Sequence, residues 1–272
     1  MNDLSPLLSI KNLDFRYQND IILNKINLTV YQNELVLING ISGSGKSTLL
    51  KLIEGRLGDV SAQKRIIIKD IPLSEINEEN YHQHVVAMSQ NPKVQLLSAN
   101  CYEELALSLD DCSPNLHQTV LTSLQSIDLE HHQTVAVEDL SGGQQQKLIL
   151  EALLLLGTDL ILLDEPFANL DFTSCKILAE KLRLLVENKQ ITLIICEHKT
   201  HFVETFATQK FTLKNGCLDS YQAYPESYLK LNHKFSLGSE VLSIKNLSYQ
   251  IEQKIILNCI SLSVKQHERI AI

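Results

Sequence analysis

A glycine-rich loop near the N-terminus constrains the fold of this 272-residue chain more than any other stretch of it. The loop reads GISGSGKS, residues 40–47, and matches the pattern G-x-x-x-x-G-K-[ST]. An apolar run, ELVLIN, precedes it, and STLLKLIEG, with apolar residues at helical spacing, follows it. Glycines let backbone N–H groups wrap around a phosphate, and the helix N-terminus adds partial positive charge. The sequence therefore predicts a strand, a phosphate-binding loop and a helix, with Lys46 reaching the terminal phosphates and Ser47 coordinating Mg²⁺.

Two later apolar runs extend this pattern. LILLD, residues 160–164, and ITLIIC, residues 191–196, are separated by SCKILAEKLRLLVE, which has helical spacing. Continuous apolar strands with intervening helices indicate a parallel α/β sheet covered on both faces. Near the N-terminus, LSIKNLDFRY and INLTV alternate apolar and polar residues, which predicts antiparallel strands. The polar middle of the chain, about residues 91–139, contains helical stretches such as CYEELALSL.

A second pair of motifs complements the loop. LILLDEP ends an apolar strand in Asp164, placed to bind the hydration shell of Mg²⁺, and Glu165 follows where a carboxylate can polarise an attacking water. LSGGQQQK, residues 140–147, places Ser and two Gly before a helical run and so offers a second helix N-terminus suited to phosphate. The alternative interpretation is a turn that only caps the helix. A chain with two phosphate-binding helix starts requires an explanation.

Composition narrows the class of protein. Hydrophobic residues make up 44% of the chain, which permits a sizeable core and argues against bulk disorder. The net charge of −8, without a long Lys/Arg block, argues against a nucleic-acid partner bound through a basic surface. The six cysteines lie far apart with no CxxC pair, as in reduced cytosolic proteins. No apolar run reaches the roughly 20 residues of a membrane span, so a role at a membrane would require another subunit to do the spanning.

The chain also repeats its own beginning. Sliding residues 8–38 onto residues 242–272, at an offset of 234, gives 16 identities in 31 positions without a gap. This similarity predicts one copy of a domain followed by the start of a second. By that offset Gly40 corresponds to position 274, so we expect a fragment without a nucleotide site of its own, loosely ordered or bound to another surface. The predicted boundaries are a nucleotide-binding domain at 1–219 with a helical subdomain at about 91–155, a linker at 220–240 and a truncated second domain at 241–272.

The order of these motifs resembles that of the ATP-binding cassette (ABC) ATPases over nearly the whole first copy, from Leu8 to about Asp219. The resemblance implies a P-loop NTPase of the α/β class, an ABC ATPase domain with an antiparallel β subdomain and a helical subdomain. The residues that match the family's nucleotide-binding motifs are Tyr17, Gly40, Ile41, Ser42, Gly43, Ser44, Gly45, Lys46, Ser47, Thr48 and Gln90. The LSGGQ signature is matched by Ser141, Gly142, Gly143 and Gln144, and the D-loop aspartate by Asp171.

The same resemblance implies roles in catalysis and metal binding. The residues implied to be catalytic are Glu165, His198 and Lys46, and those implied to hold Mg²⁺ are Ser47, Gln90 and Asp164. Taken alone, two of the matched residues have simpler interpretations. Tyr17 is also typical of a half-buried strand aromatic, and His198 ends an apolar strand, where a structural histidine is common.

The resemblance further implies partners. Cassettes of this family pair head to tail, so Ser141 is expected to contact the γ-phosphate bound by the loop of a second cassette. One copy alone would then lack a complete site. The expected cofactors are ATP and Mg²⁺. The expected partners are a second ABC ATPase cassette, on a copy of this chain or on a separate chain, and a transmembrane transporter subunit, without nucleic acid.

One stretch points to a subfamily. Residues 88–107, MSQNPKVQLLSANCYEELAL, resemble the QNPxxQ…EELA pattern of energy-coupling-factor transporter ATPases, which drive uptake of vitamins and of cobalt or nickel ions. The resemblance implies an ATP-hydrolysing subunit of such an importer, peripheral to the membrane at its cytoplasmic face. The alternatives are a soluble ABC ATPase that acts in translation or DNA maintenance, and a truncated, non-functional product.

Some residues depart from the family pattern, and others are expected to be exposed to solvent. Lys147 stands where the family usually has Arg, and Glu151 stands where it has a small residue. Glu151 is expected either to weaken the packing of the signature helix or to pair with Lys147 at i,i+4. Adjacent Glu103 and Glu104 predict a solvated helix face, and His132 is expected to lie solvated in a polar loop.

Overall fold

The protein is represented by a computed structural model that describes residues 5–77, 81–89, 91, 94–109, 114–188, 190–223, 238–251 and 254–268. The chain divides into two units, Met1–Ala223 and Tyr224–Ile272. The strands of the first unit are β1 (Leu8–Tyr17), β2 (Asp20–Val30), β3 (Leu35–Asn39), β4 (Ile66–Ile68), β5 (Ile71–Pro72), β6 (Val85–Met88), β7 (Leu160–Asp164), β8 (Leu193–Cys196), β9 (Gln209–Lys214) and β10 (Cys217–Ser220). Its helices are α1 (Lys46–Ile53), α2 (Val60–Gln63), α3 (Tyr81–His84), α4 (Cys101–Ala106), α5 (Leu116–Ser126), α6 (Gly142–Leu155) and α7 (Phe172–Glu187).

The main sheet of the first unit has the strand order β10-β9-β3-β8-β7-β6. Neighbouring strands from β9 to β6 run parallel, and β10 is antiparallel to β9. Successive residues of a strand point to opposite faces. Val36 and Ile38 therefore belong to the core that includes α1, whereas Leu35 and Leu37 belong to the core that includes α7. The sheet is buried on both sides along β3, β7 and β8, which confirms the predicted parallel α/β sheet.

A second sheet of the first unit is antiparallel, with the order β2-β1-β4-β5. In β1 the buried Leu13 and Phe15 flank the exposed Asp14, so one face of the strand packs on the core and the other meets water. The alternation of apolar and polar residues in LSIKNLDFRY and INLTV predicted this arrangement, and the structure confirms it.

A helical region separates β6 from β7 along the chain. Its helices α4, α5 and α6 share a core of their own, which includes Cys101, Leu105, Leu124 and Leu148. Asn115 occupies the N-cap position of α5, although its side chain makes no capping hydrogen bond. Among the described residues, the structure contains no helix that is both long enough and apolar enough to cross a membrane.

Glu104 corrects the expectation of a solvated helix face. Glu103 is exposed, but Glu104 is only 6% exposed. Its Oε2 accepts hydrogen bonds from the backbone N–H groups of Leu97, at 3.0 Å, and Ser98, at 2.8 Å. Because α4 starts directly after this segment, the Glu104 side chain reaches back and supplies an acceptor for N–H groups that would otherwise be unpaired. The carboxylate therefore orders the segment ahead of α4.

Glu151 corrects the expectation of an i,i+4 pair. The Lys147 ammonium lies 3.5 Å from the Asp128 carboxylate instead. Glu151, with a side chain 8% exposed, forms an ion pair with Lys181 of α7, and the Lys181 Nζ also lies 3.1 Å from the Ser126 hydroxyl oxygen. The partner comes from a different helix because Glu151 faces the junction of α5, α6 and α7. An acidic residue at a position where the family has a small one is thus compensated by a cation across the helix interface.

The second unit consists, in its described residues, of a hairpin of β11 (Glu240–Ile251) and β12 (Lys254–Lys265). Its register repeats that of β1 and β2. Leu8 pairs with Val30, and the residues at the offset of 234, Leu242 and Val264, pair in the same way. The internal repeat in the sequence therefore corresponds to a repeat in the structure.

The irregularities of the hairpin are repeated as well. Asn12 and Lys25 adopt left-handed backbone conformations, with φ of 49° and 50°. Asn246 and Cys259, at the offset of 234, both have φ of 51°. Such bulges bend and twist a strand pair and fix its register. The described part of this unit is thus a paired hairpin with the irregularities of β1 and β2.

Replacing Lys181 by Met tests the buried ion pair. The Glu151 carboxylate then stays buried without its cationic partner, and the free energy of unfolding should fall by about 3 kcal/mol in urea titrations. The control Lys176→Met removes an exposed cation of the same helix that contacts only the Phe172 ring among the described residues, and should lower the free energy of unfolding by about 1 kcal/mol or less. The double variant Glu151→Leu, Lys181→Met should recover most of the loss. A Lys181→Met variant as stable as the unmodified chain would contradict this account.

Candidate active site

The candidate site lies at one edge of the main sheet, where β3, β8 and β7 end. These strands are parallel and adjacent, so their carboxyl ends meet at the same edge. The loop at 40–47 follows β3, Glu165 follows the end of β7, and His198 lies two residues after the end of β8. Cys196 and Asp164, the last residues of β8 and β7, are register partners. Strand pairing thus brings together three motifs that are far apart in the sequence.

The glycines of the loop are required by its geometry. A Cβ at Gly40 would lie 2.5 Å from the Leu213 carbonyl oxygen and 2.7 Å from the Ser44 hydroxyl oxygen. Gly45 has φ of 105°, in the left-handed region that favours glycine. Gly45 is also the N-cap of α1. Because no side chain hydrogen-bonds the helix start from this position, the first N–H groups of the helix are open to a ligand. The buried Ser44 Oγ has no hydrogen-bond partner among the described residues.

Lys46 is enclosed by the loop that precedes it. The residue is 5% exposed, and its Nζ donates to the carbonyl oxygens of Gly40, at 2.7 Å, and Ile41, at 3.1 Å. The same Nζ lies 3.4 Å from Nε2 of His198. The ammonium is therefore held at the centre of the loop by backbone dipoles, where an incoming phosphate oxygen can exchange with them.

Two oxygen donors lie together beside the lysine. The Ser47 side chain hydrogen-bonds Asp164 at the end of β7. Burial raises the pKa of the Asp164 carboxyl above its usual range, and the Ser47 hydrogen bond opposes that rise in pKa. A hydroxyl and a carboxylate in contact are the kind of donor set that hard divalent cations prefer. Gln90, the third residue expected to hold Mg²⁺, lies outside the described residues.

Glu165 and His198 contact each other at the end of the sheet. Oε1 of Glu165 lies 3.1 Å from Nε2 of His198. Glu165 has φ of 53°, a left-handed conformation that is costly for a residue with a side chain, and its N–H donates to the Cys196 carbonyl at 2.8 Å. The local backbone strain is thus maintained by a bond to the neighbouring strand. The result is a carboxylate directed at the imidazole beside Lys46.

An open pocket lies in front of the loop. The residues that line it are Ile22, Ser42, Gly43, Gly45, Lys46, Ser47, Thr48 and Glu165. Tyr17 lies apart from this lining at the end of β1, 46% exposed and packed edge-to-face against Phe15. Ile41 is 64% exposed. The phosphate-loop residues are therefore assembled around one pocket, whereas the expected adenine-stacking tyrosine is a surface residue.

The signature residues form the start of α6 on the surface. Ser141 is the N-cap, its Oγ accepts from the Gln144 N–H, and Gln144 Oε1 accepts from the Ser141 N–H at 2.9 Å. Ser141 and Gly142 are exposed. At Gly143 a Cβ would lie 3.1 Å from the Asn169 carbonyl oxygen, so this helix start approaches the D-loop closely. None of the four signature residues lines the pocket of its own unit.

His132 corrects the expectation of a solvated loop residue. Its ring is half-buried, with Nε2 at 3.5 Å from Nε2 of the Gln144 side chain. The Nδ1 atom is buried and has no partner among the described residues. A short helical turn at Glu130–His132 directs the ring toward the signature helix, which the polar sequence around it did not indicate.

Asp171 serves as the N-cap of α7. Its carboxylate accepts from the Ser174 N–H, at 2.9 Å, and from the Ser174 hydroxyl, at 2.8 Å. These hydrogen bonds to the charged form lower the pKa of the Asp171 carboxyl. The D-loop aspartate is therefore fixed at the start of α7, the helix that connects to β8.

No functional role was expected for three residues at this edge. Ile22 of β2 lines the pocket. Gln146 of α6 donates to the Pro166 carbonyl at 2.6 Å and so contacts the loop after β7. Glu197, 2% exposed, lies between β8 and His198. The sequence signal for Glu197 is an acidic residue directly after an apolar strand, in ICEHK, but nothing in the sequence showed which groups it contacts.

The family model and two curated relatives that match this chain all carry descriptions of ABC transporter proteins. A protein-family model described as ABC transporter matches residues 23–168. A putative ABC transporter ATP-binding protein of Lactiplantibacillus plantarum is 35% identical over 205 residues, 72% of this chain and 36% of that protein. Another, of Methanosarcina acetivorans, is 31% identical over 220 residues, 79% of this chain and 67% of that protein. The chain thus spans between about a third and two thirds of the length of these relatives.

Solved structures share the fold of the first unit. The structure of cbiO1 from Clostridium perfringens, described as part of the ABC transporter complex cbiONQ, matches with a TM-score of 0.67 at 24% identity, over 78% of this chain and 86% of that one. The ATP-binding cassette MJ0796, solved as a dimer in a post-hydrolysis state with ADP and Pi, matches with a TM-score of 0.67 at 22% identity, over 80% of this chain and 100% of that one. The expected α/β P-loop fold of an ABC ATPase domain is therefore confirmed.

Replacing Lys46 by Ala tests the assignment of the loop as a phosphate site. The variant loses the ammonium at the centre of the loop, and its affinity for ATP should fall by about 100-fold. Isothermal titration calorimetry measures the affinity. The control Lys51→Ala removes an exposed cation from the same helix and should bind ATP as the unmodified chain does. Equal affinity of Lys46→Ala and Lys51→Ala would exclude the loop as the phosphate site.

Proposed function

This chain belongs to the ABC transporter ATPase family, and on that premise we propose that its first unit binds ATP with Mg²⁺ and hydrolyses it to power a membrane transporter. The observation that carries the proposal is that Lys46 and Glu165 line the pocket beside the glycine-rich loop and that His198 contacts both of them. Phosphoryl transfer to water uses a cation that binds the phosphates and a group that orients or deprotonates the water, and here an imidazole contacts both the cation and the carboxylate.

Binding is proposed to use the loop as an anion site. The open N–H groups at the start of α1 and the Lys46 ammonium would contact the β- and γ-phosphates of ATP. Ser47 and Asp164 would hold Mg²⁺, which when bound would neutralise charge on the phosphates. Tyr17, on the surface at the end of β1, would stack on the adenine. Its exposure is compatible with that role because a stacking face must be open to the ligand.

Hydrolysis is proposed to use Glu165 as the general base. The carboxylate would take a proton from a water molecule whose oxygen attacks the γ-phosphorus, while the bond from that phosphorus to the β–γ bridging oxygen breaks. His198 lies between this carboxylate and Lys46, at 3.1 Å and 3.4 Å, and would keep the base oriented toward the γ-phosphate. The left-handed backbone of Glu165 sets the direction of its side chain.

A second cassette would complete the site. Ser141 and Gly142, at the start of α6, are exposed and lie outside the pocket of their own unit. A helix N-terminus in this position can donate N–H groups to the γ-phosphate bound by another cassette. The proposed partner is a copy of this chain or a cassette on a separate chain. Asp171, at the start of α7, would lie at the same interface.

The proposed transporter is an importer of the energy-coupling-factor type, for a vitamin or a transition-metal ion. The support is the QNPxxQ…EELA pattern at residues 88–107, together with a fold shared with cbiO1, which is described as part of the complex cbiONQ. A transmembrane subunit would place this chain at the cytoplasmic face of the membrane. The cargo would be selected by that subunit, since the cassette binds only the nucleotide in this proposal.

Replacing Glu165 by Gln tests the general base. The amide cannot accept the proton of the attacking water, so the rate of ATP hydrolysis should fall by about 100-fold or more while ATP affinity stays within about twofold. Phosphate release and calorimetry measure the two quantities. The control Glu138→Gln neutralises an exposed carboxylate near the signature and should leave both unchanged. Normal turnover by Glu165→Gln would refute the assigned role.

The need for a second cassette is tested by dilution. If the site is completed by another cassette, the ATPase rate per molecule should rise with protein concentration or on addition of a candidate partner cassette, and should approach the Glu165→Gln background at high dilution. A robust rate per molecule that does not change with concentration would show that one unit contains the whole site.

A further inference from the structure

Glu197 is a buried carboxylate whose side chain hydrogen-bonds the backbones of the loops after β7 and β8. The residue is 2% exposed and follows the last residue of β8. Its Oε1 accepts hydrogen bonds from the backbone N–H groups of His198, at 2.7 Å, and Lys199, at 2.8 Å. Its Oε2 accepts from the N–H of Phe167 at 3.1 Å. One side chain thus joins the loop after β8 to the loop after β7.

The linkage is reinforced from both ends. The Nζ of Lys199 donates to the Phe167 carbonyl at 2.8 Å, so Glu197 and Lys199 together bind both backbone polar groups of Phe167. The Glu197 N–H donates to the Ile38 carbonyl at 3.1 Å, next to the start of the glycine-rich loop. Hydrogen bonds to a buried charge are stronger than neutral ones, and an ionised group is buried only where it is satisfied in this way.

The joined loops carry the two side chains proposed to act on the attacking water. Phe167 lies two residues after Glu165, and His198 is the direct neighbour of Glu197. Glu165 is in a left-handed conformation, which persists only where the surroundings over-determine it. Glu197 supplies part of that determination, since it holds the segment just beyond Glu165 against the segment that bears His198.

We propose that Glu197 is a positioning residue for ATP hydrolysis, which fixes the distance between the Glu165 carboxylate and the His198 imidazole through the backbones of their two loops. The proposal rests on the proposed function of the site. It assigns to Glu197 no contact with ATP, because the residue is buried behind the loops and does not line the pocket. Its removal should therefore affect the chemical step and leave nucleotide binding intact.

The test is the isosteric variant Glu197→Gln. An amide has one acceptor oxygen and one donor nitrogen, so in either orientation its NH₂ group faces a backbone N–H that Glu197 now satisfies. We expect kcat to fall about 10- to 100-fold. KM and the Kd for ATP should stay within about twofold. The control Glu204→Gln changes a half-buried carboxylate nearby that accepts from the Tyr221 hydroxyl, and should leave kcat unchanged.

A second variant and a hydrogen-exchange measurement keep the outcomes distinct. Lys199→Met removes only the Nζ bond to Phe167 and should lower kcat less than Glu197→Gln does, again at constant KM. Hydrogen exchange of the peptide that contains Phe167 should accelerate in Glu197→Gln. Unchanged kcat in both variants, or a loss of ATP binding and stability in parallel with kcat, would overturn the positioning role. If the unmodified chain binds ATP but does not hydrolyse it even with an added partner cassette, the proposed function fails. Hydrogen exchange at Phe167 then decides by itself whether Glu197 fixes the loop after β7.

Discussion

The parallel pairing of β3, β8 and β7 is the constraint on which the rest of the site depends. Parallel neighbours present their carboxyl ends at one edge, so strand pairing alone brings the glycine-rich loop, Glu165 and His198 together. The strands are buried on both faces, and the packing of α1 on one side and α7 on the other fixes their positions. The site is therefore a consequence of the core.

The charged side chains at that edge contact one another at the pocket and are supported by a buried carboxylate behind it. Lys46 lies inside its loop, contacts two carbonyls and stands close to His198, which in turn contacts Glu165. Behind these side chains, Glu197 joins the loops that bear the imidazole and the carboxylate. Each charge has a partner of defined geometry, so little reorganisation of the protein is needed when a polyanionic ligand enters.

The local motifs and periodicities were sufficient to predict the fold and the phosphate loop. The strand in LILLD occurs at the predicted residues, and Gly40 and Gly45 have the tight surroundings that the loop motif implies. The internal repeat predicted the start of a second copy of the domain, and the structure shows there a hairpin with the register of the first. These features depend on residues that are close in sequence or on strict periodicity, and such patterns can be read from one chain.

Contacts between distant elements could not be read in this way. Glu104 and Glu151 looked like surface carboxylates or local helix pairs, but the first orders the segment ahead of α4 and the second pairs with Lys181 of another helix. The three acceptor bonds of Glu197 depend on how two loops meet after the sheet has formed. A sequence pattern gives the type of side chain at each position but not the partner that tertiary packing places opposite it.

The central claim is that this unit holds one half of an ATPase site and that the signature of another cassette supplies the second half. The most direct measurement mixes two variants, Lys46→Ala and Ser141→Arg, and records ATP turnover. Each variant alone should be inactive, since one lacks the phosphate-binding lysine and the other lacks the signature contact. The mixture should recover part of the activity where copies of this chain pair, because a mixed dimer contains one intact composite site. Turnover by Ser141→Arg alone at the rate of the unmodified chain would contradict the claim.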